Sequence, residues 1–600
     1  MSLSEEKGAL VVQAKSKMQE KIKEQIKIAL QELGIETGNI LLEHPADLKN
    51  GDYSTNIAMV HAKQIGKNPK ILAEEIVALL QKNKMNEIEK VEVAGFGFIN
   101  FYLSHEFFTQ SIQEILDIKA DWGKNTLSVD KKIMVEYTDP NPFKPFHIGH
   151  LMTNAIGESI ARITEFSSAK VVRANYQGDV GMHVAKAMYG MYKAGPPANE
   201  SAPASEIALY IGECYAKGSD AYDSDPEAKK EIEAFNKKVY DRSDEKVNQV
   251  YDWGRKATLE AFEELYKILG TKFMHYFFES VMAPIGQRIV KENIPNVFEE
   301  SDPEGKGTSN GAGAAIVFHA EKHDPKLHTR VFITGAGLPT YETKEIGLTM
   351  TKFEKEPDMD LSIVVTAIEQ GEYMKVVQKA ISLMHPELEK KMKHITHGMM
   401  RLTTGKMSSR KGNVITGESL LRDSIDTVYE KMQERDISES DKKEVAEIVG
   451  VSALKYSILR SSLGSDIIYD FDKSISFEGD SGPYLQYTVV RAKAILRKWE
   501  EVKSQMNSEV LKTPNEITVL EKMLYQFPEV VARAYTELEP HYIATYLTEL
   551  ASSFNSFYGN TLIVNKDDPY TPYRVAIVES FVYTMQNGLY LLGIQTPDKM

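Results

Sequence analysis

Apolar positions recur at helical spacing near the start of the chain. Between residues 8 and 33, Leu10, Ile22, Ile26 and Leu30 fall among the apolar positions of an amphipathic helix. The turn-forming run Asn50-Gly51-Asp52-Tyr53-Ser54 follows. A second helix is predicted over residues 69–83, with Pro69 suited to its first turn. Strand-like segments come next at Val91 to Val93 and Phe98 to Leu103. Residues 1–118 thus read as a small α+β domain.

The pattern changes at Lys131. Lys132 to Tyr137 reads as a buried strand, and a Pro/Asn-rich turn leads to His147 and a helix from near Gly149. Val171 to Asn175 reads as the next strand. Strand–loop–helix–strand units of this kind open nucleotide-binding α/β sheets, which take ligands at the carboxyl ends of their strands. Strand-like segments return at Val331 to Thr334, Ser362 to Thr366 and His394 to Gly398, so residues 130–435 are predicted to form an α/β domain. Within it, residues 195–330 read as an insertion. It comprises a polar Pro196-Pro197 loop, long charged helices, and a Gly-rich loop from Gly305 to Gly313 whose plainest reading is a surface turn. Over residues 440–600 the periodicity is almost wholly helical. Leu454, Ile458 and Leu459 mark one apolar face, and Leu485, Val489, Ile495 and Leu496 belong to the next.

Composition adds limits. A chain of 600 residues, 42% hydrophobic and 26% charged, is long and apolar enough for several globular domains. No uncharged apolar run approaches the ~18 residues that span a bilayer, and the start of the chain lacks a signal-peptide pattern. A cytoplasmic protein without a membrane partner is therefore expected. The single cysteine, Cys214, excludes an internal disulfide and a multi-cysteine zinc site. The histidines form no metal-ligand cluster at helical spacing, so no protein-bound metal is expected. A net charge of -15 by itself argues against a nucleic-acid partner, yet phosphate contact needs only a local basic surface. The first arginine is Arg162, so phosphate contacts made by the first domain would rely on lysine point charges.

Two segments carry phosphate chemistry. In Pro145-Phe146-His147-Ile148-Gly149-His150, a helix N-terminus presents unpaired N–H groups to an anion. Gly149 lets a nucleotide base approach the backbone, and His147 and His150 share a face as hydrogen-bond donors. In Gly405-Lys406-Met407-Ser408-Ser409-Arg410-Lys411-Gly412, cations and hydroxyls between glycines suit a loop that stabilises charge on a polyphosphate. Taken singly, the first could be two incidental histidines at a helix start and the second a solvated basic loop.

Occurring in this order around an α/β domain, the pair resembles the signatures of class I aminoacyl-tRNA synthetases. The second usually reads Lys-Met-Ser-Lys-Ser; here Ser409 replaces its second lysine and Arg410 its final serine, a form similar to that of arginyl enzymes. A guanidinium calls for carboxylates that accept paired hydrogen bonds beside an aromatic wall. Glu136-Tyr137-Thr138-Asp139-Pro140-Asn141 and Leu338-Pro339-Thr340-Tyr341-Glu342-Thr343-Lys344-Glu345 supply such groups and resemble arginyl-tRNA synthetase segments. The resemblance implies that Glu136, Asn141 and His150 line an arginine pocket, with Tyr341 and Glu345 flanking the guanidinium and Gln370 touching the amino acid. It implies an ATP site of Phe146, His147, Gly149, His150, His397, Gly398, Met399, Lys406, Met407, Ser408 and Ser409. His147, His150, Lys406 and Arg410 would carry the chemistry. Asp179, in the loop Asn175 to Gly181, reads as a residue that orders its loop.

The likeness extends to both flanks. Gly51 to Asn56 resembles the signature of the family's N-terminal domain, which touches the tRNA elbow. Gly482-Pro483-Tyr484-Leu485-Gln486-Tyr487 and Arg491-Ala492-Lys493 resemble its C-terminal anticodon-binding helices. Tyr484, Tyr487, Arg491, Lys493 and Arg497 are candidate tRNA contacts, although tyrosines three apart also serve as core and basic residues as a solvated face. The expected architecture is a Rossmann-like parallel-sheet catalytic domain between an N-terminal α+β domain and a C-terminal all-α bundle. The expected partners are L-arginine, ATP with Mg2+, and arginine tRNA, served by a monomer, with the first step dependent on bound tRNA. Another class I specificity, a nucleotidyltransferase and an idle RNA-binding module remain as competing readings.

Overall fold

The computed structural model describes residues 16–36, 38–197, 199, 201–301, 314–403, 416–505 and 512–600. Leu10, the Gly305 to Gly313 loop and the whole Lys406 to Arg410 signature lie outside the described residues.

The N-terminal domain packs helices α1 (Ser16–Glu32) and α2 (Pro69–Lys82) on an antiparallel sheet of β1 (Tyr53–Thr55), β2 (Ile88–Ala94) and β3 (Phe98–Leu103), in the order β1-β3-β2. Asn68 caps α2 through Lys70 N, with Pro69 in the first turn where its missing N–H costs nothing. Ile22, Ile26, Leu30, Leu72, Ile76 and Phe101 form the core, and Tyr525 from the C-terminal helices is inserted into it. The turn Gly51 to Tyr53 lies at this junction. Asp52 accepts from Leu103 N at 2.8 Å and pairs with Lys522 at 3.0 Å. Glu529 accepts from the Tyr53 hydroxyl at 2.5 Å and from Gln19 Nε2 at 2.9 Å, and lies 2.9 Å from His44 Nε2. His44 Nδ1 meets the Asp52 carbonyl at 2.7 Å. An imidazole facing an acceptor at each nitrogen is satisfied only when both carry protons. Burial opposes that charge, but Glu529 and the Asp52 carbonyl overcome it and raise the His44 pKa.

The central sheet is wholly parallel. β4 (Lys132–Glu136), β5 (Lys170–Gln177), β6 (His275–Phe278), β10 (Leu361–Ala367) and β11 (Met392–His397) lie in the order β11-β10-β4-β5-β6. Glu136 sits opposite Val364 on one side and Ala174 on the other. The chain leaves β4 toward β5 and later returns to β10 on its other flank. The switch point therefore lies at the carboxyl end of β4, where open α/β sheets bind ligands. The sequence reading needs two corrections here. Residues 195–330 are not all insertion, because the short apolar strand β6 within them extends the central sheet. The strand at Val331 to Thr334 is β9 (Arg330–Ile333), which joins β7 (Glu299–Glu300) and β8 (Ile316–Phe318) in a separate antiparallel sheet.

Helix α3 (Ile148–Phe166) follows β4 and is buried along almost its whole length. Helix α4 (Met182–Ala194) precedes the insertion, which supplies α5 (Ala204–Ser224), α6 (Pro226–Asp241) and α7 (Glu245–Ile268); all four share a core around Val184, Ile211 and Tyr251. Helices α8 (Glu279–Glu292) and α9 (Tyr341–Lys355) pack together, and α10 (Gly371–Met384) follows β10. The C-terminal part contains α11 (Gly417–Met432), α12 (Glu439–Leu459), α13 (Gly482–Val502), α14 (His541–Asn560) and α15 (Thr571–Leu591). It is not purely helical: β12 (Met400–Leu402) pairs in parallel with β13 (Ile467–Tyr469).

The end of α15 docks on the middle of α3. A helix leaves its last carbonyls without partners, and side chains of neighbouring helices meet them. Ser159 Oγ donates to Leu591 O at 2.8 Å, and Arg162 donates to Tyr590 O at 3.0 Å. Lys455 Nζ donates to Gly593 O at 2.7 Å and to Leu269 O, beyond α7, at 2.6 Å. Burial lowers the Lys455 pKa to about 7.

Glu529→Ala is expected to loosen the N-terminal domain, since each buried donor left unmet costs about 1–3 kcal/mol. Calorimetry should show a separate early transition for this domain; a single unshifted transition would refute the clamp. In the wild type the His44–Glu529 contribution is present below the ordinary histidine pKa. It fades as pH rises through the raised value.

Candidate active site

The turn from β4 to α3 is held in an uncommon backbone shape. Thr138, Asp139 and Phe143 all have positive φ, at 81°, 47° and 67°. Asp139 accepts from Tyr176 N at 2.7 Å, tying the turn to β5. Phe143 stacks on Tyr251 of α7 at 5.6 Å and fills the space beside Gly254, where an added Cβ would come within 2.7 Å of the ring. The turn is thus fixed between the sheet and the insertion helices.

His147 caps α3, and its N–H donates to His150 Nδ1 at 3.2 Å. The two imidazoles stack at 3.4 Å. Gly149 is required by this pair, because a Cβ there would lie 2.9 Å from the His147 ring. His147 reaches solvent along one edge, but the surrounding protein and the Lys144 ammonium push its pKa down to about 4. Burial, His147 and Lys144 hold His150 well below the usual range. At neutral pH both are uncharged and can donate to an anion without meeting it as cations. Phe146 points inward, packed on His150 and Phe262, so its ring belongs to the core. Its carbonyl accepts from Gly417 N at 2.8 Å. The residues just beyond the second signature are therefore anchored on the first.

His397 ends β11, buried, with Nδ1 2.7 Å from the Gly398 carbonyl and Nε2 without a partner. Gly398 has no room for a side chain beside the Ser465 carbonyl, and the exposed Met399 receives Asp466 at its N–H, 2.9 Å away.

Beside the switch point lies a buried set of carboxylates. Glu136 has Lys352 Nζ 2.6 Å from Oε2, close enough for charge pairing although not aligned as a hydrogen bond. Glu279 pairs with Lys344 at 2.7 Å, and Lys344 lies over the Tyr341 ring at 5.1 Å. Asn141 Oδ1 and Glu279 both crowd Gly178, so a side chain at 178 would strike them. Asp139 and Glu345 have no ion pair of their own among the described residues. Burial and the nearby Glu136 charge raise both, Glu345 to about 8 and Asp139 well above the usual range. The buried Tyr176 hydroxyl has no partner, and burial together with Glu279, Glu345 and Glu136 raises its pKa well above 10. Four carboxylates here thus share two lysines, Lys344 and Lys352.

The comparisons follow this geometry. The family model described as "tRNA synthetases class I (R), catalytic domain" matches residues 111–471. An "Arginyl tRNA synthetase N terminal domain" model matches 17–103, and a "DALR anticodon binding domain" model matches 485–600. A protein of Fusobacterium nucleatum named "Arginine--tRNA ligase" is 35% identical over 92% of this chain and 93% of its own length. This chain belongs to the arginyl-tRNA synthetase family. A Clostridium perfringens protein of the same printed name is 30% identical, covering 97% of this chain and 99% of its own. The solved Thermus thermophilus arginyl-tRNA synthetase shares the fold at a TM-score of 0.77 and 24% identity, over 97% of this chain and 100% of that one.

Within this arginyl-tRNA synthetase fold, Glu136, Glu345 and Tyr341 converge with Asn141 around Glu279. Gln370 is the capping residue just before α10, three positions ahead of Tyr373, which hydrogen-bonds Glu345. Asp179 orders its loop: it accepts from Ser280 N, Ser280 Oγ and Arg255 Nε, each at 2.8 Å. Sequence reasoning missed Glu279, Lys344, Lys352, Tyr176 and Lys144. A signal for one of them was present, because Glu345 and Lys352 are seven apart on a helix and share its buried face. On α13, Arg491 donates to Asn555 at 2.7 Å and lies over the Tyr487 and Tyr558 rings, while Tyr484 accepts from Asn555 at 2.8 Å. Lys493 pairs with Asp598 at 2.7 Å, and Arg497 is exposed.

Gly149→Ala should displace the His147 ring while leaving stability intact, since alanine favours helix. In an imidazole NMR titration, His147 should move from about 4 toward 6.5. An unmoved titration would show that the glycine does not set the ring.

Proposed function

We infer that this chain is an arginine–tRNA ligase. It activates L-arginine with ATP to arginyl-adenylate and pyrophosphate, then transfers arginine to the 3'-terminal adenosine of its tRNA. The observation that carries the specificity is the missing positive charge: Asp139 and Glu345 lie beside lysines that are already paired with Glu136 and Glu279. A guanidinium supplies that charge with donors in a plane, against the Tyr341 ring. Lysine carries the charge without the planar fork and leaves acceptors unmet, a mismatch worth ~10⁴ or more in discrimination.

In the first step an arginine carboxylate oxygen attacks the α-phosphorus in line, and the bond to the pyrophosphate oxygen breaks. Positioning and charge stabilisation carry the rate. His147, His150 and the N-terminus of α3 hold phosphate from one side, with Lys144 as the described cation beside them. Lys406 and Arg410 are proposed to close from the other. His397, Gly398 and Met399 are proposed to receive the adenosine. Mg2+ is proposed to arrive with ATP and supply neutralisation of the leaving pyrophosphate. In the second step the terminal tRNA hydroxyl attacks the adenylate carbonyl and AMP leaves. Tyr484, Tyr487, Arg491, Lys493 and Arg497 are proposed to face the anticodon arm, and residues 1–118 the elbow. We propose that the enzyme works as a monomer. No described helix is long and apolar enough to cross a membrane, and we place the enzyme in the cytoplasm.

Charging of total tRNA with each amino acid should succeed with arginine alone; charging with another amino acid would overturn the pocket reading. Arginine affinity should weaken as pH falls below about 8, because Glu345 must lose a proton to receive the guanidinium. Calorimetric titration in buffers of differing ionisation heat should show proton release near pH 7, and Glu345→Gln should reduce it. Arginine binding with no proton released would refute this role for Glu345.

A further inference from the structure

The helical insertion does more than pack beside the catalytic sheet. Two of its helices close on the signature turn, and a third reaches α9 beside it. Gly254 and Tyr251 of α7 enclose Phe143. On α5, Gly212 is so near Pro145 that a Cβ would stand 3.2 Å from its ring. On α6, Tyr240 faces Lys344 across 6.0 Å. Between Phe143 and Pro145 the turn presents Lys144, and the ring facing its ammonium, 5.4 Å away, is that of Tyr215 on α5. Lys144 has no carboxylate within ion-pair distance among the described residues. Glu279, the carboxylate whose charge it feels, is already paired with Lys344. Lys186, the next cation of this wall, donates to Ser219 at 3.2 Å and lies over the Tyr222 ring at 4.5 Å. Two lysines lining the insertion side are therefore held by aromatic faces and not by acids.

That choice of partner has a chemical consequence. A carboxylate would fix the Lys144 ammonium but cancel its charge and repel an incoming polyphosphate. An aromatic face attracts the ammonium through the ring quadrupole and leaves its full charge available. A lysine stem has many rotamers, and restricting them beforehand lowers the entropy lost when an anion binds. We propose that Tyr215 is a positioning residue that holds Lys144 toward the phosphates of ATP, so that the insertion completes the nucleotide site. This rests on the reading of the chain as an ATP-dependent ligase and adds a residue to it. The Tyr215 hydroxyl plays no part: the ring alone is needed.

The test compares Tyr215→Phe, Tyr215→Leu and Tyr215→Met, with Lys144→Met and the double variant Tyr215→Leu/Lys144→Met. The dissociation constant for ATP is measured by calorimetry, and arginine charging by steady-state kinetics. Tyr215→Phe should match the wild type within about twofold. The Leu and Met variants should bind ATP about tenfold more weakly, the size of a partly desolvated cation–aromatic contact. Their KM for arginine should stay unchanged. In the Lys144→Met background the Tyr215→Leu change should have no further effect, because the two residues act as one. If the Leu variant does not fold, the Met variant, of similar volume, carries the comparison. Binding, unlike turnover, remains measurable in an inactive enzyme. The proposal is overturned by ATP affinity within twofold of wild type in the Leu and Met variants, by Tyr215→Phe as damaged as they are, or by a Tyr215→Leu loss of equal size with and without Lys144. A wild-type enzyme that charges no arginine would instead sink the ligase reading, so the two failures are told apart.

Discussion

Helix α3 is the part around which the rest is organised, because it is buried nearly throughout and its polar groups cannot turn to water. Each must find a partner in another element. At its N-terminus His147 and His150 satisfy one another and leave N–H groups directed outward. In its middle Glu158 receives Tyr137, Arg162 and Arg173. Those arginines reach on to Glu165, Gly270 and Tyr590. An unpartnered charge in such a place would cost several kcal/mol, so sheet, insertion and C-terminal helices are bound to one another through what α3 needs.

The two ends of the active site impose opposite electrostatic demands across a single turn. On the β4 side, carboxylates outnumber the lysines that pair with them, and burial drives the remainder toward protonation until a cation enters. On the α3 side, burial and Lys144 lower the pKa of both histidines, so the imidazoles stay uncharged at neutral pH. The left-handed residues Thr138, Asp139 and Phe143 set the separation between these regions. Strained backbone is stored where the surrounding structure over-determines it, and here the sheet and α7 both grip the turn.

Much of this was legible from the chain. The change from strand to helix periodicity located β4, the turn and α3, and the two histidines with their glycine were found at the helix start. Strand β6 was not, because four residues of His275-Tyr276-Phe277-Phe278 following a long charged helix carry no periodicity of their own. Lys352 and Glu279 were passed over since lysine and glutamate on a helix usually face water, and only the packing of α8 on α9 turns them inward. The partners of Tyr484 and Arg491 lie on α14, and the one for Lys493 near the chain's end. Contacts of that range depend on helix packing that local pattern does not encode. Asp52 and Tyr53 look like a surface turn in the sequence and are a buried joint in the fold.

The carbonyls that finish α15 are met by Ser159, Arg162 and Lys455, and this fixes an order of events during synthesis. The ribosome delivers α3 long before it delivers residues 590–593. Until then Arg162 has Glu158 and the Gly270 carbonyl but not that of Tyr590, Lys455 has only the Leu269 carbonyl, and Ser159 lacks the Leu591 carbonyl. The sheet can form around β4 and β5 while the chain is still growing, but the contacts that join α3 and Lys455 to the end of α15 wait for residues 590–593.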